Sequence, residues 1–189
     1  MESLGRLNAR IFVYVLERVP AAEDGWTWTF RAAPDAPAQV VAAAPLTVDP
    51  GAAVVLTLGN LGGRVLVTVT DAEPARMAEL LARVEREAPA GPDAPADLVL
   101  PLDDAFLAEH GRVGVALLPP SATRFFPRLP DAVRFDADAF AISAAVFLSA
   151  DELALARDHG VQSLAERFRV AGRNIVRFAA RRSGGTLGP

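Results

Sequence analysis

Apolar positions alternate without a polar face from Phe140 to Leu148. Phe140, Ile142, Ala144, Val146 and Leu148 fall on one side, and Ala141, Ser143, Ala145 and Phe147 on the other. That pattern predicts a strand buried on both faces. Ser149 stands three residues before Glu152, the spacing of a reciprocal capping box, so a helix is predicted to start there. Asp151 and Glu152 at its positive end and Arg157 in its last turn oppose the helix dipole. His159-Gly160 predicts its end, because glycine accepts the left-handed cap conformation. Val161, Leu164, Ala165 and Phe168 then recur at i, i+3, i+4 and i+7, the stripe of a second short helix that Gly172 stops. Asn174 to Phe178 predicts a short returning strand, which completes a stretch running from Phe135 to Phe178.

Earlier in the chain, Arg10 to Arg18 alternates Ile11, Val13 and Val15 with Phe12, Tyr14 and Leu16, which predicts a central strand. Glu23-Asp24-Gly25 turns the chain. Trp26, Trp28 and Phe30 then alternate with Thr27 and Thr29, the pattern of a strand with one face in the core. Pro34 to Pro37 is expected as a loop, Gln39 to Ala44 as a strand and Asp49-Pro50-Gly51 as a turn. Val54 to Leu58 and Arg64 to Thr70 predict a hairpin across Gly59-Asn60-Leu61-Gly62-Gly63. Asp71 is placed to cap the next helix, with Pro74 in the first turn, a Met77, Leu80, Leu81, Val84 stripe and a Glu79 to Arg83 pair four apart. Ala88 to Asp97 is rich in proline and small residues and reads as a boundary or long loop. Beyond it come a short helix from Asp103 to His110 ending at Gly111, and a strand from Arg112 to Leu118 stopped by Pro119-Pro120. The loop from Ser121 to Pro130 presents Arg124, Phe125, Phe126 and Arg128.

Strand signals cluster before Asp71 and mix with helix signals after it. The fold class expected is α+β, a mainly antiparallel or mixed sheet with helices packed on it. One unit over residues 1–181 is expected, with two lobes (1–87 and 98–181) as the alternative division and a flexible tail from 182 to 189. Hydrophobic residues at 51% and charged residues at 22% suit a folded globular chain of 189 residues.

The chain holds no cysteine, which excludes disulfides, thiolate metal sites and cysteine nucleophiles. Met1-Glu2-Ser3 lacks the basic start of a secretion signal, and Asp35, Asp49 and Arg64 interrupt the longest apolar stretches, so a bacterial cytoplasmic location is expected and a membrane partner is not. Lysine is absent and arginine supplies the basic charge, a composition attributed to codon bias. The net charge of −4 is unevenly spread. From Arg167 to the end there are six arginines and no acid, which leaves −10 for the remainder.

No constellation has catalytic spacing. His110 and His159 each precede a glycine that ends a helix, where the dipole favours them, and neither has ligands near it in sequence. Asp103-Asp104 and Asp136-x-Asp138 are carboxylate pairs of an ordinary solvated kind. Ser121, Ser143, Ser149 and Ser163 lack the glycines of a nucleophile elbow. The glycine cluster at residues 59–63 leads into a strand, whereas a phosphate-cradling loop leads into a helix. Neither catalysis nor a cofactor is expected.

Leu117-Leu118-Pro119-Pro120, the strand from Phe140, Ser149-Ala150-Asp151-Glu152, Ala156-Arg157-Asp158-His159-Gly160, the Leu164 to Phe168 helix and Arg181-Arg182-Ser183 together resemble the suppressor-of-fused domain family, particularly its bacterial members. Gly25 to Arg31, ending in Thr-Phe-Arg, resembles the family's early strand. No match is seen from Ala32 to Asp97. The resemblance implies a mixed α/β protein-interaction domain without catalytic residues. In eukaryotes such domains sequester a transcription factor, and bacterial relatives occur as immunity proteins beside toxins. The expected partner is therefore another protein, such as a toxin. The candidate partner-binding residues are Arg124, Phe125, Phe126, Arg128, Asp136, Asp138, Arg173 and Arg177. The alternatives are an arginine-rich nucleic-acid binder, which is disfavoured, and a small carboxylate-dependent hydrolase.

Overall fold

The computed structural model describes residues 2–22, 24–33, 36–49, 51–58, 63–89, 97–123, 126–135, 138–173, 175 and 178. In chain order its elements are α1 (Glu2–Leu16), β1 (Thr27–Ala33), β2 (Ala36–Pro45), β3 (Ala53–Leu58), β4 (Arg64–Thr70), α2 (Pro74–Glu87), β5 (Leu98–Pro101), α3 (Ala105–Glu109), β6 (Gly114–Leu118), β7 (Ala132–Phe135), β8 (Asp138–Leu148) and α4 (Ala150–Ala171). A 3-10 turn, Pro120–Ala122, follows β6.

The strands form one sheet in the order β1-β2-β3-β4-β8-β6-β5, with β7 also on β8. All pairs are antiparallel except β4 with β8, which is parallel. Ala141 pairs with both Arg64 of β4 and Ala132 of β7, and Ala144 with both Val67 of β4 and Leu118 of β6. The edge of β8 away from β4 is therefore shared, β7 lying along its first half and β6 along its second. The fold is the expected α+β class with a mixed, mainly antiparallel sheet.

Strand periodicity sorts the core into layers. Ala42, Val54, Leu56, Val65, Val67, Ile142 and Ala144 face Ile11 and Val15 of α1. The same face continues through Ala116, Leu118, Val146 and Leu148 under Leu153, Ala156, Val161 and Leu164 of α4. The opposite face, with Val41, Val55, Leu66, Val115, Leu117, Ala145 and Phe147, lies under the Met77, Leu80, Leu81, Val84 stripe of α2 and Leu107 of α3. Both sides of the sheet are covered. Fully burying one such side chain contributes roughly 1.5–3 kcal/mol, against about 0.3–0.5 kcal/mol for an exposed helix ion pair. The apolar stripe, and not the pairs Arg76–Glu79 and Arg83–Glu87, holds α2 on the sheet.

The stretch after β8 follows its local signals. Ser149 Oγ accepts the Glu152 N–H at 3.3 Å, and Glu152 Oε2 accepts the Ser149 N–H at 2.9 Å, so both halves of the capping box are made. Gly160, at φ 82° and ψ 164°, breaks α4 into two helical segments, and Gly172, at φ 59°, caps the second.

Several expectations are corrected. Residues Arg10 to Leu16 belong to a helix and not to a central strand. Ile11 and Val15 are buried while Val13, between them, is 50% exposed, as the helical period requires. Pro37 belongs to β2 and not to a loop. The residue capping α2 is Glu73, without a side-chain bond, so Asp71 is not its cap. Ile175 and Phe178 lie outside any strand, and the rest of the expected strand from Asn174 falls outside the described residues. So do 59–62 of the glycine cluster and 90–96 of the proline-rich segment. β5 and β7 are additions that no sequence signal announced.

Two substitutions test this packing. At Gly114 an added Cβ would come within 2.7 Å of the Leu100 carbonyl oxygen and 3.1 Å of Leu153 Cδ1, so Gly114→Ala must part β5 from β6 or lift α4. A loss of about 1–3 kcal/mol is expected from denaturant midpoints, and an unchanged midpoint would show that the strands do not approach so closely. Ser149→Ala is expected to remove about 1 kcal/mol with the fold intact. Equal midpoints for that variant and the wild type would place the start of α4 elsewhere.

Candidate functional site

The parallel pair fixes where a site can form. After β4 the chain enters α2 on one face of the sheet, and after β8 it enters α4 on the other. Divergence of the following helices from adjacent parallel strands leaves a crevice at the strands' carboxyl ends. Here Arg173 and Phe178 of the same chain lie at those ends.

Leaving Gly172, Arg173 turns inward. Its guanidinium forks onto Glu152, with Nη2 at 2.9 Å from Oε2 and Nε bonded to Oε1, and Nη2 also donates to the Phe147 carbonyl at 3.0 Å. Arg112, just before β6, sets Nη1 3.6 Å from Glu152 Oε2. Ile175 packs on the α4 side of the sheet and Phe178 on the α2 side. The Phe178 N–H donates to Asp71 Oδ1 at 2.7 Å. Its ring, 4% exposed, stacks on Phe106 of α3 at 5.3 Å and meets Phe147 edge-on at 5.3 Å, with His110 also at 5.3 Å. His110 is held by a 2.8 Å bond between Nδ1 and the Phe106 carbonyl, and Phe106 and His110 touch each other at 4.5 Å.

Burial alone would raise the Glu152 pKa. The Arg173 hydrogen bonds, the Ser149 N–H and the charges of Arg173 and Arg112 outweigh it, and the carboxyl titrates below its ordinary range. Burial, with repulsion from Arg173, pulls the Arg112 guanidinium down from its usual value. Chemically the crevice is a receptor for one arginine, one aromatic ring and one backbone N–H. A cavity of about 390 Å³ adjoins it at Asp71 and Thr70, and another of about 270 Å³ at Arg173 and Ile175.

Of the residues expected to bind a partner, Arg173 is in this crevice. Phe126 is wholly buried in the core beneath α1. Arg128 is exposed and lines a surface cavity of about 450 Å³ with Glu17, Arg18, Val19, Pro20, Val48 and Pro127. Asp138 begins β8 opposite Phe135. Arg124, Phe125, Asp136 and Arg177 lie outside the described residues. Asp104 caps α3 by accepting the Leu107 N–H at 3.2 Å, and Arg83 donates to the Asp103 carbonyl at 2.8 Å. Among the described residues no three His, Asp or Glu side chains are grouped to hold a metal ion. None of the described helices is long and apolar enough to cross a membrane.

The sequence reading missed the aromatic seat. Phe106 of α3 and His110, the residue that caps its end, stand four apart, a spacing that marks one face, but nothing linked them to Phe147 or Phe178. Asp71 and Glu152 were read only as caps.

The architecture is thus an α+β domain whose mixed sheet is covered by helices on both faces, with Arg173 and Phe178 seated at the end of its parallel pair. No protein-family model matches the sequence, and no curated protein does. The fold is similar to that of a Neisseria gonorrhoeae FA 1090 chain described as a homologue of SUFU, the suppressor of fused protein. The TM-score is 0.66 over 95% of this chain and 96% of that one, at 9% sequence identity. That is a likeness of fold, and it extends over nearly the whole chain.

The Glu152 pKa sets a pH dependence. A carboxyl whose pKa is depressed by folding contributes stability that is complete above its unfolded value, near 4.5, and lost as pH falls through the lower folded value. Urea midpoints measured from pH 7 down to pH 3 should fall more steeply in the acid limb for the wild type than for Glu152→Gln. Parallel limbs would show that Glu152 is not ion-paired in solution.

Proposed function

We propose that this chain is a non-catalytic protein-binding domain that sequesters a partner in the bacterial cytoplasm, in the manner of an immunity or antitoxin-like protein. The observation that supports this reading is the likeness of fold, across nearly the whole chain, to the protein described as a SUFU homologue. The residues agree with it. Glu152 is bonded to Arg173, Asp71 accepts the Phe178 N–H, and His110 lies against the Phe178 ring.

Nucleic-acid binding through the arginine-rich end is the weaker reading. Arg169 pairs with Glu166 at 2.6 Å and Arg173 with Glu152, so two of the arginines from Arg167 onward already have acidic partners.

The two readings separate in one experiment. The tagged chain is used to recover protein from its source organism, and in parallel is titrated with random-sequence DNA and RNA at low and moderate salt. One protein recovered at near-equal stoichiometry, and lost on changing one or two central residues, is the expected result. Tight nucleic-acid binding that weakens with salt, by a slope of roughly 0.9 per phosphate neutralised on duplex DNA, with no protein recovered, would overturn it.

A further inference from the structure

We propose that the groove between the end of α1, the Thr47–Val48 stretch and the turn from Phe126 to Leu129 is the docking site for a segment of a protein partner. The segment it fits carries one carboxylate beside a bulky aliphatic or aromatic side chain. This rests on the protein-binding reading and gives it a site.

The groove is open. Val48 is 69% exposed, Glu17, Pro127 and Arg128 are exposed as well, and with half-buried Arg18 and Pro20 they line a depression of about 450 Å³. A small-molecule site buries most of its ligand's surface, whereas walls as exposed as these leave one side of the occupant in water, which suits part of a larger molecule. Pro20, Val48 and Pro127 give the groove its apolar surface, and an apolar patch rimmed by charge is where another protein docks.

Its walls are held from below. The Thr47 N–H and hydroxyl both donate to the Pro20 carbonyl, at 2.8 and 3.1 Å, which ties the first two walls together. In the third, the Leu129 N–H donates to the Phe126 carbonyl at 3.1 Å. Val19, Leu46, Phe126 and Leu129 are all buried in the core beneath α1, so the turn between Phe126 and Leu129 is anchored at both ends and presents Pro127 and Arg128 outward. A preformed groove loses little freedom when it is occupied.

Charge selects the occupant. The Arg18 guanidinium lies 3.7 Å from the centre of the Tyr14 ring, and its Nη1 donates to the Tyr14 carbonyl at 2.9 Å and to Glu17 Oε2 at 3.1 Å. Glu17 and Arg18 thereby offset each other. Arg128 has no hydrogen-bond or ion-pair partner among the described residues. A carboxylate seated beside it gains charge-assisted, fork-shaped hydrogen bonds, and an apolar side chain next to that carboxylate covers Val48. A run of acids fits less well, because residues 1–166 carry a net charge of −10 and repel it.

The test selects a random-peptide display library on the full chain and measures the enriched peptides by fluorescence anisotropy. The peptides expected carry a single Asp or Glu within two positions of a Leu, Ile, Phe or Trp. Arg128→Glu and Val48→Asp should each weaken their binding about tenfold or more, with denaturation midpoints unchanged because both positions are exposed. Arg128→Gln, which adds no acid, should act in the same direction and guards against an effect on folding. A peptide whose acid is changed to lysine should prefer the Arg128→Glu chain to the wild type. No enrichment, enriched peptides without an acid, or binding indifferent to these substitutions would overturn the proposal. Self-association of the wild-type chain in sedimentation, abolished by Val48→Asp, would also overturn it by giving the groove to a second copy. The library holds no natural partner, so its failure leaves the sequestering reading standing. Peptides bound in the groove, with no protein recovered from the source organism, would refute that reading and not the site.

Discussion

Parallel strands cannot be closed by a hairpin, so the pairing of β4 with β8 obliges the intervening chain to leave the sheet and come back. The detour builds α2, β5, α3, β6 and β7, and the last two return to the free edge of β8. Thr68 reinforces the pair from inside, its buried hydroxyl donating to the Ala145 carbonyl at 2.7 Å. Because the helices after the two strands take opposite faces, this single pairing covers both sides of the sheet. It also leaves the gap at its end where Arg173 and Phe178 lie.

One carboxylate coordinates that end. Glu152 completes the cap of α4, takes the fork of Arg173 and lies beside Arg112. Truncating one partner of a buried ion pair typically costs about 3–5 kcal/mol, and the presence of two arginines spreads that dependence. The start of a helix, the start of β6 and the chain's last described turn are thereby tied through two oxygen atoms, and no long-range mechanism is needed to make them respond together.

Legibility in the sequence followed the range of the interactions. The Ser149–Glu152 box, the Gly160 break, the hairpin of β3 with β4 and the α2 stripe are decided within a few residues, and all were readable. α1 was not, because Ile11 and Val15 stand four apart, a separation in phase with both the strand and the helix period. Only the fate of Val13 distinguishes the two, and that depends on what packs there. β5 and β7 are four residues each and owe their conformation to β6 and β8, so their own residues carry little signal. Asp71 has the composition and place of a helix cap, yet its partner amide lies 107 residues away. Of the candidate site, the sequence exposed the arginines and one carboxylate but not the aromatic seat, which is assembled from three separate elements.

The parallel pair also bears on how the chain acquires its structure. The antiparallel run from β1 to β4 is made of neighbours in sequence, whereas Thr68 and Ala145 are separated by 77 positions. Contacts of that range form late, since the entropy of closing the loop is spent before they are gained. On a ribosome, β4 is complete long before β8 emerges. In that interval Val65, Val67 and Val69 lie along an edge with open backbone donors and acceptors, the situation that invites pairing with other chains. The structure therefore makes the nascent chain most vulnerable to self-association between the synthesis of β4 and that of β8, and places the demand for chaperone protection in that window.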